Sequence, residues 1–186
     1  MDELPKTINI TGVNNRYMIK KLIKNHKEEN ESKKRIVSQK WTFTKEQYEY
    51  NHQTNIINEI YNNNYNNDDE AIKTTIQEIK RKISSYKQQD IIKKHWDEDN
   101  FLTLNCILTK MIECELKCRY CNCEMYVLYD ISREMKQWSV DRIDNNIGHT
   151  KNNFHLACLD CNLKRRRRTD EKFLFTKQLI IVKQDF

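Results

Sequence analysis

Two matched cysteine pairs carry the clearest chemical signal in the chain. Cys118-x-x-Cys121 and Cys158-x-x-Cys161 are separated by 36 residues. Each pair can place two thiolates on one tight turn, and two such turns complete a tetrahedral four-sulfur site of the kind that holds zinc. A structural Zn²⁺ there contributes directly to folding, because the stretch it encloses has little apolar mass of its own. Cys123 offers a competing Cys121-x-Cys123 choice, but the spacing of Cys118 and Cys121 mirrors the second pair, so Cys123 is read as a spare thiol. Cys106 and Cys114 are expected to be buried and unligated.

Through the second pair runs SVDRIDNNIGHTKNNFHLACLDCNLKRRRR, from Ser139 to Arg168. It ends in an unbroken cationic block, Lys164, Arg165, Arg166, Arg167 and Arg168, suited to gripping phosphates in a sequence-independent way. Phosphodiester cleavage needs a nucleophilic water, a charge clamp on the phosphate and help for the departing oxygen; a divalent cation with oxygen ligands can supply much of this.

Asp141-Arg142-Ile143-Asp144, Gly148-His149, Asn153, Cys158-x-x-Cys161-Asn162 and Lys164 together resemble the HNH, or ββα-metal, endonucleases. The likeness is to their zinc-bound branch, which includes phage recombination endonuclease VII and many viral and homing-type members. It covers about residues 117–168. The resemblance implies an α+β fold, a zinc-stapled ββα nuclease domain preceded by a helical region. It implies Asp141 and Asn162 as oxygen ligands of a catalytic Mg²⁺ or Mn²⁺, with Asn153 pinning the hairpin through backbone hydrogen bonds. Gly148 matches the family's turn glycine, where a positive φ is expected. Asp144 is expected to brace Arg142 or the loop.

One position departs from the pattern. Most members carry a water-activating His directly after the metal-binding Asp; here that residue is Arg142, a permanent cation better suited to clamping phosphate than to accepting a proton. The base is then His149, His155 or a metal-bound hydroxide. His26, His52 and His95 lie outside the motif and are read as structural or solvated.

Helices and short strands must position these groups. Ile72, Ile76, Ile79, Ile83 and Tyr86 recur at spacings of four and three, defining one face of a helix that Asp68 or Asp69 can cap. Packing on the protein's own core is favoured over a coiled-coil seam, since the pattern lasts only two heptads or so. A second helix is expected from Thr103 to about Leu116, with Leu104, Ile107, Leu108, Met111 and Ile112 inward. Tyr126–Tyr129, Trp138–Val140 and Phe154–Ala157 are strand candidates. A helix begins near Leu159, and Phe173–Val182 closes the core as strand or helix. Lys80, Arg81, Lys82, Lys87, Lys93 and Lys94 either widen the basic surface or are ordinary exposed helix residues.

The organisation read from this pattern has four parts: a polar, Asn-rich arm over 1–70 that could contact DNA, a helical region over 71–116, the nuclease domain over 117–170 and a tail over 171–186 packing on the core. Residues 1–40 have little periodicity and 62–69 read as a linker. Apolar content is 38% and charged content 32%, with a net charge of +6, mild by itself. The absence of a long apolar run predicts no membrane span, and the absence of a basic-then-apolar start predicts no signal peptide. The expected setting is a reducing compartment, cytoplasm or nucleus, where paired cysteines bind metal more often than they form disulfides. The expected partner is double-stranded or branched DNA, with a homodimer as a further association. The competing readings are a non-catalytic zinc module that binds nucleic acid and, more weakly, a coiled-coil adaptor.

Overall fold

A computed structural model describes residues 33–179. The first 32 residues and 180–186 lie outside the described part, and with them the first 32 residues of the expected N-terminal arm, including His26, and the end of the tail. The described elements are α1 (Tyr50–Tyr61), α2 (Glu70–Lys93), α3 (Leu104–Glu113), β1 (Trp138–Arg142), β2 (Phe154–Cys158), α4 (Leu159–Arg165) and α5 (Asp170–Gln178), with short 3₁₀ turns at Val37–Lys40 and Glu46–Tyr48. The class is α+β, with one two-stranded antiparallel sheet. No helix among the described residues is long and apolar enough to cross a membrane.

The compact unit starts at Lys34, so the boundary expected at residue 70 falls inside it. The reason is α1, which places Ile56, Ile57 and Ile60 in the core, and Gln53 on the same inward face. Gln53 also explains why Tyr126–Tyr129 is not a strand. Its side-chain amide accepts from the backbone N–H groups of Val127 and Leu128 (2.8 and 2.9 Å) and donates to the carbonyls of Leu128 and Tyr48 (3.1 and 2.8 Å). One side chain thus does for this stretch what a partner strand would do.

Asp69 caps α2, accepting from the N–H groups of Ala71 and Ile72. The helix continues past Tyr86 to Lys93 and stops where Lys94 turns left-handed (φ 59). Its expected stripe is inward: Ile72 and Ile79 are buried, with Ile76, Ile83 and Tyr86 packed alongside. That face is used within the chain, which removes the basis of the coiled-coil reading. Thr103 caps α3, with the Cys106 thiol completing a capping box in the place a Glu or Gln usually takes. α3 ends at Glu113, earlier than expected, because Glu115 and Leu116 both turn left-handed (φ 50 and 51). Cys106 and Cys114 are half-buried rather than buried.

The long α2 packs across the later part of the chain through polar groups as well. Glu78, buried, accepts from Arg35 and Arg81 (2.6 Å each), and Arg35 also donates to the Tyr129 carbonyl. Lys82, expected at the surface, is half-buried instead, with its ammonium turned inward. Its ammonium donates to Gln137 and to the Trp138 carbonyl and sits 4.7 Å from the Trp138 ring centroid. Burial brings its pKa from 10.5 down to about 7. Between those values the unfolded chain binds the extra proton, so stability rises with pH over that window and is flat below it. Relative to Lys82→Met, the wild type is expected to gain up to about 1.4 kcal/mol per pH unit between pH 7 and 9 in urea titrations. Parallel profiles for the two proteins would refute the enclosure.

Candidate functional site

The two cysteine pairs meet. Cys118 and Cys121 lie on a knuckle closed by the Lys117–Glu124 bridge, by Cys118 N–H donating to the Cys123 carbonyl, and by Asn122 turning left-handed (φ 55). Cys158 ends β2 and caps α4, and Cys161 sits in the first turn of that helix. The four sulfur atoms lie within 4.8 Å of one another, with Cys121 and Cys158 3.8 Å apart. A tetrahedron with Zn–S bonds of about 2.3 Å has sulfur–sulfur edges of about 3.8 Å, so the donor set fits Zn²⁺. Cys123 is not one of the four, although its thiol neighbours those of Cys121 and Cys158. The crowding perturbs the thiols in opposite directions. The neighbouring Cys158 thiol favours the thiolate of Cys118, while burial disfavours that of Cys161. A divalent cation is what lets all four ionise together.

The cluster fastens the knuckle and α4 to the β1–β2 hairpin. In that hairpin Asp141 stands directly opposite His155, so the two share one face of the sheet. Burial raises the pKa of Asp141, partly countered by Tyr120 and Arg165. Its Oδ2 accepts from the Tyr120 hydroxyl at 2.5 Å. Its other neighbour is Arg165, 1% exposed. Arg165 Nη1 donates to Asp141 Oδ1 (3.3 Å), and its Nη2 donates to the carbonyls of Arg142 and Ile143. Nε lies 3.2 Å from Oδ2 but makes no hydrogen bond, so that contact is Coulombic.

Asn162 faces the same strand. Its amide donates to Ser139 Oγ and the Val140 carbonyl, both at 3.0 Å, holding α4 against β1. The fold thus brings Asp141 and Asn162 to one side of β1. It does not leave Asp141 open: a phenol and a guanidinium face its carboxylate. As placed, these residues do not fit the Mg²⁺ or Mn²⁺ that the resemblance implies there. Among the described residues, the four cysteines are the one group of three or more His, Cys, Asp or Glu donors close enough to share a metal ion.

The two candidate imidazoles separate. His149 is buried against α2: its Nδ1 lies 2.7 Å from Asp90 Oδ1, its backbone N–H donates to Asp90 Oδ2, and its ring stacks on Tyr86. His155 is partly open, with Nε2 3.3 Å from Asp170 Oδ2 at the start of α5. Burial, aided by nearby Arg119, lowers its pKa, which favours the neutral ring. Arg142 lies on the opposite face of the sheet from Asp141, and its Nη1 donates to the Ile147 carbonyl.

Asn153 holds the hairpin loop. Its amide donates to the Asp144 and Gly148 carbonyls and accepts from the Asp144 N–H. Asp144 braces the loop in turn by accepting from the Asn146 N–H. Gly148 corrects an expectation. Its φ lies outside the left-handed region; a Cβ there would collide with the His95 carbonyl and approach Asp90 Oδ2 at 2.9 Å. Close approach, not turn geometry, selects glycine.

The basic block divides. Lys164 is exposed and pairs with Asp160 at 2.7 Å, and Arg165 turns inward. Arg166 adopts φ 56 and ends α4, leaving Arg166, Arg167 and Arg168 exposed. These three line an open cleft of about 990 Å³ with Lys93 and Arg142; its acidic members are Asp144, Asp170 and Glu171.

Sequence reasoning missed Tyr120, Asp170, Asp90 and the inward role of Arg165. Asp90 had a signal: it falls four residues after Tyr86, at stripe spacing on a helix face otherwise apolar. Compared with protein-family models, with curated proteins and with solved structures, the chain matches none.

Proposed function

We propose that this chain is a DNA endonuclease of the HNH type. The observation that carries the reading is the pairing of Asp141 and His155 on a hairpin that four clustered cysteines fasten to its helix, with Asp170, the carboxylate against His155, on the wall of a cleft that Lys93, Arg142 and Arg166–Arg168 also line. In this reading the cleft cations bind the phosphates of double-stranded or branched DNA, giving salt-dependent affinity with little sequence choice. His155, whose neutral form burial favours and which Asp170 orients, takes the proton from the attacking water. Zinc holds the framework. No step is routed through a divalent ion at Asp141.

The test is cleavage of supercoiled, linear and branched DNA by the zinc-loaded protein, with Mg²⁺, with Mn²⁺ and with neither. His155→Ala is expected to slow cleavage on the order of 100-fold while DNA binding persists. Cutting that survives both His155→Ala and Asp141→Ala would place the activity elsewhere.

A second reading has specific support. The closed Asp141 and the Arg142 side chain in place of the usual His favour a non-catalytic zinc module that binds nucleic acid. Its signature is binding that falls on substitution of Arg166, Arg167 and Arg168, with no cleavage under any ion.

A further inference from the structure

We infer that Arg165 is the resident cation of the Asp141 site, so that the charge a divalent ion would bring is already built into α4. The inference rests on the nuclease-like reading of the hairpin only in that it concerns the same carboxylate. Three features support it. Arg165 is among the most enclosed side chains of the described residues, and Asp141 is 5% exposed beside it. Its donors are divided between the carboxylate and the backbone carbonyls of Arg142 and Ile143, so one planar fork neutralises the acid and ties down the exit of β1. The remaining approach to Asp141 Oδ2 is taken by the Tyr120 hydroxyl, whose ring packs edge-on against Phe173 at 4.8 Å.

An ion such as Mg²⁺ dehydrates reluctantly and keeps several waters. A carboxylate closed by a guanidinium and a phenol offers no room for that shell. Arg165 cannot shed its charge, so it leaves Asp141 only by abandoning its carbonyl partners as well. Asp141 therefore takes no divalent ion while Arg165 is in place. Removing the guanidinium leaves a buried carboxylate without a counter-charge, which a small cation can then satisfy.

The experiment is a Mn²⁺ titration of the full, zinc-loaded chain without DNA, followed by electron paramagnetic resonance of free Mn²⁺ and by thermal melting. Wild type is expected to show no saturable Mn²⁺ site that Asp141→Asn abolishes. Arg165→Ala is expected to melt lower, to gain one Mn²⁺ site and to recover part of its lost melting temperature as Mn²⁺ is added. Arg165→Ala/Asp141→Asn is expected to lose that site. A wild-type site abolished by Asp141→Asn overturns the inference, as does a folded Arg165→Ala that gains none. If Arg165→Ala does not fold, the wild-type and Asp141→Asn titrations alone decide. The outcome is independent of whether the protein cuts DNA, so failure here and failure of the nuclease reading are separate results.

Discussion

Chelating zinc from the reduced protein, or replacing Cys158 with Ser, is expected to abolish cooperative folding. The elements joined by the sulfur cluster cannot stand alone. A single two-stranded hairpin is marginal in water, and α4 spans only seven residues, too short to persist by itself. A four-thiolate zinc site contributes about 10–16 kcal/mol of apparent binding energy at neutral pH, as much as or more than the roughly 5–15 kcal/mol that holds a typical domain together. Loss should spread beyond the hairpin, because Trp138, Val140 and Leu156 share one core with Ile57, Ile79 and Ile107. Metal analysis should find one zinc per chain, and circular-dichroism melts should lose their transition on chelation. Cys123→Ser is the control and should melt close to wild type. A Cys158→Ser protein with a full cooperative transition, or a reduced wild type free of zinc, would overturn the site.

The second large effect is expected at Gln53. Its side chain, 2% exposed, satisfies four backbone groups at once, the whole capacity of a primary amide. Gln53→Leu keeps the volume and removes every one of those bonds. The stranded N–H groups of Val127 and Leu128 lie in the core, where each unsatisfied group costs about 1–3 kcal/mol. A total loss of about 3–5 kcal/mol follows after partial relaxation, or a fall in melting temperature on the order of 10 °C. Urea denaturation of the two proteins measures it. A loss below about 1 kcal/mol would mean that 126–129 is held by something other than this amide.

Much of the site could be read from residue spacing, and the reasons are physical. A metal cluster demands fixed ligand separations, so Cys118, Cys121, Cys158 and Cys161 announce themselves. An amphipathic stripe and its cap are local properties, so α2 and Asp69 were legible too, as was the Thr103 cap of α3. What spacing could not reveal was the direction of polar side chains. Within one cationic run, Arg165 turns inward and Arg166 outward, and both look alike in sequence. Lys82 reads as a surface residue, yet the groups that enclose it, Gln137 and Trp138, are more than fifty positions away. The failed strand at 126–129 has the same origin: beyond a single bridge from Tyr126 to Gln137, its partner is a side chain in α1, and no periodicity encodes that. The early end of α3 rests on Glu115 and Leu116 in left-handed geometry, where neither residue type advertises it.

The reversal of backbone handedness at Arg166 carries a consequence for how this stretch tolerates change. The run is constrained in phase as much as in charge. Deleting one position ahead of the reversal would hand the interior place of Arg165 to the next arginine and leave two arginines rather than three on the cleft wall. Swapping one exposed arginine for lysine would leave that alignment intact. The inward position therefore demands arginine more strictly than its exposed neighbours do, a distinction that a solvated cationic tail does not make.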